Sequence, residues 1–226
     1  SSDAWLNVKA GTDAALAMAM GHVILKEYYI DKETPYFKEY AKEFTDMPFL
    51  VRVEDINGAV QPGRFLNAKD LGSKEDGADF QTVLIDETTN EIVVPNGTMG
   101  DRHTNPQKWN LRLENRNTGA KIDPRLSVFD QRQDVTVVKL PYFGDEEHEG
   151  VIERAIPTIT VQTVDGPVKV TTVYDLILAN YGIDRGIGGE VATSYTDDTP
   201  YTPTWQEKIT GVKADIAIAT AREFAD

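Results

Sequence analysis

Three adjacent residues, Gly11, Thr12 and Asp13, open the first chemically suggestive segment of this chain. That segment, residues 5–22, reads as a nucleotide-facing loop leading into a buried helix. Gly11 permits a tight turn, Thr12 is a favourable N-cap, and Asp13 falls in the first helical turn, where the helix dipole favours a negative group. Taken alone, the tripeptide is better described as the capped start of a core helix. Behind it Ala14, Ala15, Leu16, Ala17, Met18, Ala19, Met20, Val23, Ile24 and Leu25 are apolar almost all round, the pattern of a helix packed inside a sizeable protein.

The other candidates carry less. His148 lies among Asp145, Glu146, Glu147 and Glu149, and imidazole with carboxylates suits a divalent metal. Consecutive loop residues rarely converge on one ion without distant partners, so a solvated acidic loop accounts for them. His103 reads as an exposed loop residue. His22, on the first helix beside Ala19 and Lys26, is expected to pack at least half-buried with a hydrogen-bond partner. The segment 181–189 is glycine-rich, but it follows a helix and lacks the Gly-Lys-Ser/Thr ending of a phosphate loop, so it reads as a helix exit. No Ser/His/Asp set stands at a recognisable spacing, and three histidines with no cysteine offer little for nucleophilic catalysis. The lack of cysteine also excludes disulfides, zinc–thiolate sites and iron–sulfur ligation within these residues.

These groups must be positioned by three regions of different texture: residues 1–48, 49–173 and 174–226. In the first, a helix from Asp13 is expected to end near Glu27, and Thr34-Pro35 supplies an N-cap and a proline at N1 for a second helix through Phe44. In the second, short strands are expected at 49–53, 81–85, 91–94, 135–138, 158–161 and 168–173. Asn57-Gly58, Asn96-Gly97 and Asp165-Gly166 are tight-turn dipeptides, the last being the strongest hairpin signal. In the third, helices are expected at 174–181, from Thr202-Pro203, and from about Lys213 to Asp226. The chain opens in mid-motif and ends without a C-cap glycine or following proline, so both ends read as cut from something larger.

Composition sets the bounds. With 226 residues, one large domain or two small ones can form around a real core, since roughly 70% of the unfolded surface is buried at this length. A hydrophobic content of 40%, a charged content of 27% and a mean hydropathy of −0.39 are ordinary for a globular chain. No apolar run approaches the roughly 18 residues of a spanning helix. The formal net charge of −14 argues against a nucleic-acid partner.

Read in order, three blocks add what spacing alone does not. Residues 10–23, residues 170–182 continuing to 192–195, and residues 201–212 followed by 221–225 resemble the catalytic alpha subunits of membrane-bound respiratory nitrate reductases. Those subunits are a branch of the molybdopterin guanine dinucleotide (DMSO reductase) family, and residues 108–111 and 140–144 lie between the blocks in the expected order. The resemblance covers essentially the whole chain and implies a mixed α/β fold, in which the helical ends pack together around a β-rich insertion as part of a larger oxidoreductase domain.

It further implies a parent oxidoreductase of anaerobic nitrate respiration. That parent would reduce nitrate to nitrite at molybdenum held by two molybdopterin guanine dinucleotides. Electrons from quinol would arrive through a haem-containing membrane gamma subunit, an iron–sulfur beta subunit and a [4Fe-4S] cluster. By that resemblance the parent sits on the cytoplasmic face of the membrane as a peripheral subunit. The ligands to molybdenum and to the iron–sulfur cluster lie outside these residues, so the segment is expected to be inactive alone. Matching the motif residue by residue, Gly11, Thr12 and Asp13 are the expected cofactor contacts, with the Asp13 carboxylate facing the paired donors of a guanine edge. The insertion has no residue with an assigned chemical role and is expected to shape a substrate funnel or contact another subunit. Two rival readings stay open on the residues alone: a non-enzymatic β-rich interaction domain, and a metal-dependent hydrolase using the acidic loops.

Overall fold

Proline at position 35 and an alanine-rich run after Asp13 begin helices where their local chemistry predicts. The computed structural model describes residues 5–96, 112–142 and 150–226. In chain order the elements begin with α1 (Asp13–Ile24), a π-helical segment (Leu25–Asp31) and α2 (Pro35–Phe44). The strands are β1 (Leu50–Ile56), β2 (Ala59–Phe65), β3 (Leu84–Ile85), β4 (Ile92–Val93), β5 (Pro95–Asn96), β6 (Arg112–Asn115), β7 (Asp134–Pro141), β8 (Val151–Thr163) and β9 (Gly166–Thr172). Three helices follow: α3 (Val173–Asn180), α4 (Pro203–Thr210) and α5 (Ala214–Ala225). The chain is mixed α/β, as expected. It divides into two compact units, one of residues 1–34, 139–155 and 177–226, the other of residues 35–138 and 156–176.

In the first unit α1, α4 and α5 pack together, with Leu16, Val212 and Ala217 at the centre and Leu6, Val8 and Met20 against them. The helical ends of the sequence do meet. Alanines at 15, 19, 217 and 221 are buried and let the helices approach closely. The opposite face of α1 is less buried than its apolar sequence predicts, since Ala14 and Ala17 are exposed. Its end also differs: the helix does not stop near Glu27 but widens into the π-helical segment, where Lys32 N–H donates to Glu27 O at 2.9 Å, five residues back.

The second unit holds most of an antiparallel sheet in the order β2-β1-β9-β8-β7. The β8–β9 hairpin closes at Thr163↔Gly166, around the Asp165-Gly166 signal. Asn57 and Gly58, both at positive φ (58° and 81°), form the mirror-type turn between β1 and β2, and Asp55 Oδ1 accepts from Gly58 N–H at 2.8 Å. Strand β2, which runs through Gln61-Pro62-Gly63-Arg64, is not among the expected strands. It lies at the sheet edge with a register shift near Pro62, and at an edge a residue without an N–H costs no ladder bond.

Strand β8 is longer than its expected core of 158–161, whereas β3 and β4 shrink to two residues each. The core beneath the sheet gathers Leu50, Leu66, Val83, Ile85, Val128, Val161 and Val170, with Phe49, Leu84, Val93 and Ile122 forming a smaller neighbour. The Asn96-Gly97 turn signal, His103 and the acidic loop around His148 fall wholly or partly outside the described residues.

Candidate functional site

The loop carrying Gly11, Thr12 and Asp13 is moored from below and open above. Lys9 N–H donates to Thr210 O at 3.0 Å, tying the loop to the end of α4. Gly11 sits at φ +80, and a Cβ built there would meet nothing within 4 Å. Thr12 does not cap α1 as its sequence position predicts. Its Oγ1 donates instead to Lys9 O at 2.6 Å, and no side chain accepts from the first amides of the helix. The competing turn wins because the hydroxyl finds a carbonyl three residues back in the loop Gly11 creates. Asp13 is exposed in the first turn of α1, beside those uncapped amides. The arrangement presents the Asp13 carboxylate at the exposed start of α1, where its two oxygens suit paired N–H donors.

At the other end of α1, three residues lock the helix to the exit of α3. Gly21 faces the Tyr181 ring so closely that a Cβ there would lie 3.0 Å from Tyr181 Cζ and closer still to Cε1. His22, 2% exposed, places Nδ1 2.6 Å from Tyr181 O, which fixes that nitrogen as the protonated donor. Burial holds the imidazole pKa below its usual 6.5, with Arg154 and Lys26 pushing the same way. His22 is thus the buried, partnered packing histidine its sequence position predicts. Its ring also meets Tyr195 edge-on at 5.9 Å.

The π-helical turn builds a cleft the sequence did not announce. Its volume is about 420 Å³, and its lining includes His22, Lys26, Glu27, Lys32, Ser194 and Tyr195. Glu27 accepts from Arg222 Nη2 at 2.6 Å and Nε at 3.0 Å and from Tyr195 Oη at 3.1 Å. The Arg222 hydrogen bonds hold the Glu27 carboxyl below its usual range, while burial raises Tyr195. Lys26 pairs with Asp31 at 2.5 Å. Each charge is met by its opposite, so the cleft has little unspent electrostatic demand.

The glycine-rich segment after α3 is a helix exit, as expected. Gly182 takes φ +72, and a Cβ there would lie 2.9 Å from Pro200 O and 3.1 Å from Arg154 Nη2. Arg154 is fully buried, donates from Nη2 to Pro200 O, and has no hydrogen-bond partner for Nε and Nη1 among the described residues. Desolvation lowers its pKa to about 10. Tyr142, Tyr201 and Trp205 form an aromatic cluster in the same unit, with Trp205 Nε1 donating to Tyr142 Oη at 3.2 Å. No sequence signal marked Arg154, because a strand arginine normally points outward.

Among the described residues no group of three or more His, Asp or Glu side chains could hold a metal ion, and no helix is long and apolar enough to cross a membrane. In the second unit the buried acids serve the scaffold. Asp70 takes Arg64 in a two-pronged pair at 2.5 and 2.7 Å with Arg52 at 3.2 Å, and Asp86 accepts from the N–H groups of Thr88 and Asp123.

No family model matches the chain. Individual relatives do. It is 47% identical over 224 residues, 99% of its length, to the nitrate reductase alpha chain of Bacillus subtilis. It is 43% identical over 237 residues to the respiratory nitrate reductase 1 alpha chain of Escherichia coli, and 42% identical over 229 residues to the nitrate reductase alpha subunit of Mycobacterium tuberculosis. The match takes up 18%, 19% and 18% of those three proteins, so the chain spans about a fifth of the length of the relatives it matches. With 42–47% identity over 99% of its length, this chain matches a segment of nitrate reductase alpha chains.

Proposed function

We propose that the chain acts as a scaffold and cofactor-contacting part of a respiratory nitrate reductase alpha subunit, which reduces nitrate to nitrite with electrons from quinol. The observation that carries this reading is the 42–47% identity over 99% of the chain to proteins named for that activity. In the intact subunit the redox chemistry is supplied by a molybdenum centre bearing two molybdopterin guanine dinucleotides, served by a [4Fe-4S] cluster. The partners are an iron–sulfur beta subunit and a haem-bearing membrane gamma subunit, with the alpha subunit on the cytoplasmic face.

Within this chain, Gly11, Thr12 and Asp13 contact the guanine end of the dinucleotide. The Asp13 carboxylate accepts from the base N1–H and exocyclic amine, a paired-donor edge that two carboxylate oxygens match. Two features support the fit: Asp13 is exposed, and the space over Gly11 is open. The mooring of Lys9 to Thr210 O would hold this loop in place for an incoming base.

The test is Asp13→Ala in the full-length alpha subunit, with molybdenum and guanine-nucleotide content measured beside nitrate reduction by reduced viologen. Joint loss of cofactor and activity is expected. Undiminished cofactor content would overturn the Asp13 contact, and a wild-type parent without molybdenum or pterin would overturn the functional reading itself.

A further inference from the structure

Helix α2 carries an aromatic stripe that nothing among the described residues covers. Tyr36, Tyr40 and Phe44 follow one another at four-residue spacing, on one face, at 69%, 49% and 46% exposure. Their rings stack along the helix, with centroids 6.3 Å and 5.1 Å apart. Only Ala41 of this ten-residue helix is buried. Lone exposed hydrophobic residues need no explanation, but three contiguous aromatic rings on one face mark an interaction surface. The side chains are already pre-ordered against each other, so covering them costs little further conformational entropy.

We infer that this stripe is a docking surface for a part of the same alpha subunit lying outside these 226 residues. The inference rests on the chain being carried within such a subunit. Its relatives are about five times as long, the match occupying 18–19% of them, so such a subunit has ample further chain to pack on surfaces that these residues leave open. The covering segment is apolar where it meets the three ring faces. It carries carbonyl or carboxylate oxygens opposite the Tyr36 and Tyr40 hydroxyls, because a buried phenol needs an acceptor. Glu39 and Glu43, beside the stripe on the helix, provide its polar rim.

Hydroxyl-radical footprinting of the wild-type full-length alpha subunit and of the 226-residue chain compares the same side chains in both settings without a substitution. Several-fold slower oxidation of Tyr36, Tyr40 and Phe44 in the full-length subunit, with Trp205 equally protected in both, is the expected result. Equal labelling of the stripe in both would overturn the inference. Protection that arises only when a separate beta subunit is added would overturn it in favour of another chain. So would protection in the 226-residue chain that grows with its concentration, which would assign the surface to a second copy.

A second arm uses Tyr36→Ser/Phe44→Ser. The full-length subunit is expected to melt lower by several degrees while the 226-residue chain is unchanged; an equal fall in both would place the stripe in the chain's own core. Nitrate reduction by the wild-type subunit, recorded alongside, reports separately on the functional reading: a subunit inactive on nitrate that still protects the stripe fails that reading and keeps this one.

Discussion

The ring of Tyr181 occupies the space that any side chain on Gly21 would need, with Cζ only 3.0 Å from the position of the missing Cβ. The same tyrosine accepts from His22 through its backbone carbonyl. Two consecutive residues of α1 therefore hold one residue at the exit of α3, one by absence and one by a hydrogen bond. Gly21→Ala tests the first. Helix propensity alone would favour alanine by about 1 kcal/mol, but forcing a methyl into a filled space costs roughly 1–3 kcal/mol. Net destabilisation is expected in chemical denaturation. Adding Tyr181→Leu should recover part of it, since removing the ring edge removes the clash; additive losses would show that the contact is not the cause.

His22 tests the second. Its pKa is lowered from 6.5, chiefly by burial, so the folded chain favours the neutral imidazole. An unfolded chain binds the proton first as pH falls. The stability this group contributes is fully present above about 6.5 and declines below it until the lowered folded pKa is passed. His22→Asn keeps a donor near the Tyr181 carbonyl and does not titrate. Its melting temperature should therefore stay flatter than wild type between pH 6.5 and 5. Carboxylates such as Glu27 and Asp70, lowered by their arginine partners, lose their contributions only below their ordinary values of 4.5 and 3.8, in a separate window.

Two threonines at helix starts should behave differently. Thr202 is fully buried, its Oγ1 accepts from Trp205 N–H at 3.1 Å, and it donates to Asp197 O at 2.6 Å. Thr202→Ala is expected to cost about 1–2 kcal/mol. Thr12 makes no such cap, and Thr12→Ala should change stability by less than about 0.5 kcal/mol. Urea midpoints of the two variants decide this, and equal costs would mean that Thr12 caps α1 in solution.

Asp175 is a buried polar support of the second unit. It accepts from Ser127 Oγ at 2.6 Å, from Val128 N–H at 2.9 Å and from Thr172 Oγ1 at 2.9 Å, and it is almost wholly buried. Asp175→Ala would strand a buried N–H and two hydroxyls, for a loss of about 3 kcal/mol. A guanidinium midpoint within error of wild type would contradict that role.

Several elements were legible because their chemistry is local. Thr34-Pro35 starts α2, Thr202-Pro203 starts α4, and Asp165-Gly166 turns β8 into β9. Each follows from a proline without an N–H, a hydroxyl near free amides, or a glycine free to take positive φ. The order of the sequence blocks likewise carried the family. What the sequence left open depends on residues far apart along the chain. The path of β2 through Pro62 becomes possible only at a sheet edge.

The π-helical turn brings Glu27 to Arg222 and Tyr195, partners 195 and 168 residues away. Arg154 is buried in the part of β8 that lies before its expected core at 158–161, and Gly21 is needed for a tyrosine 160 positions on. Local propensity and turn chemistry thus determined which segments became helices and hairpins. Only the tertiary structure decided which hydroxyl, charge or glycine mattered, because burial and close approach are properties of the partner that packing brings and not of the residue itself.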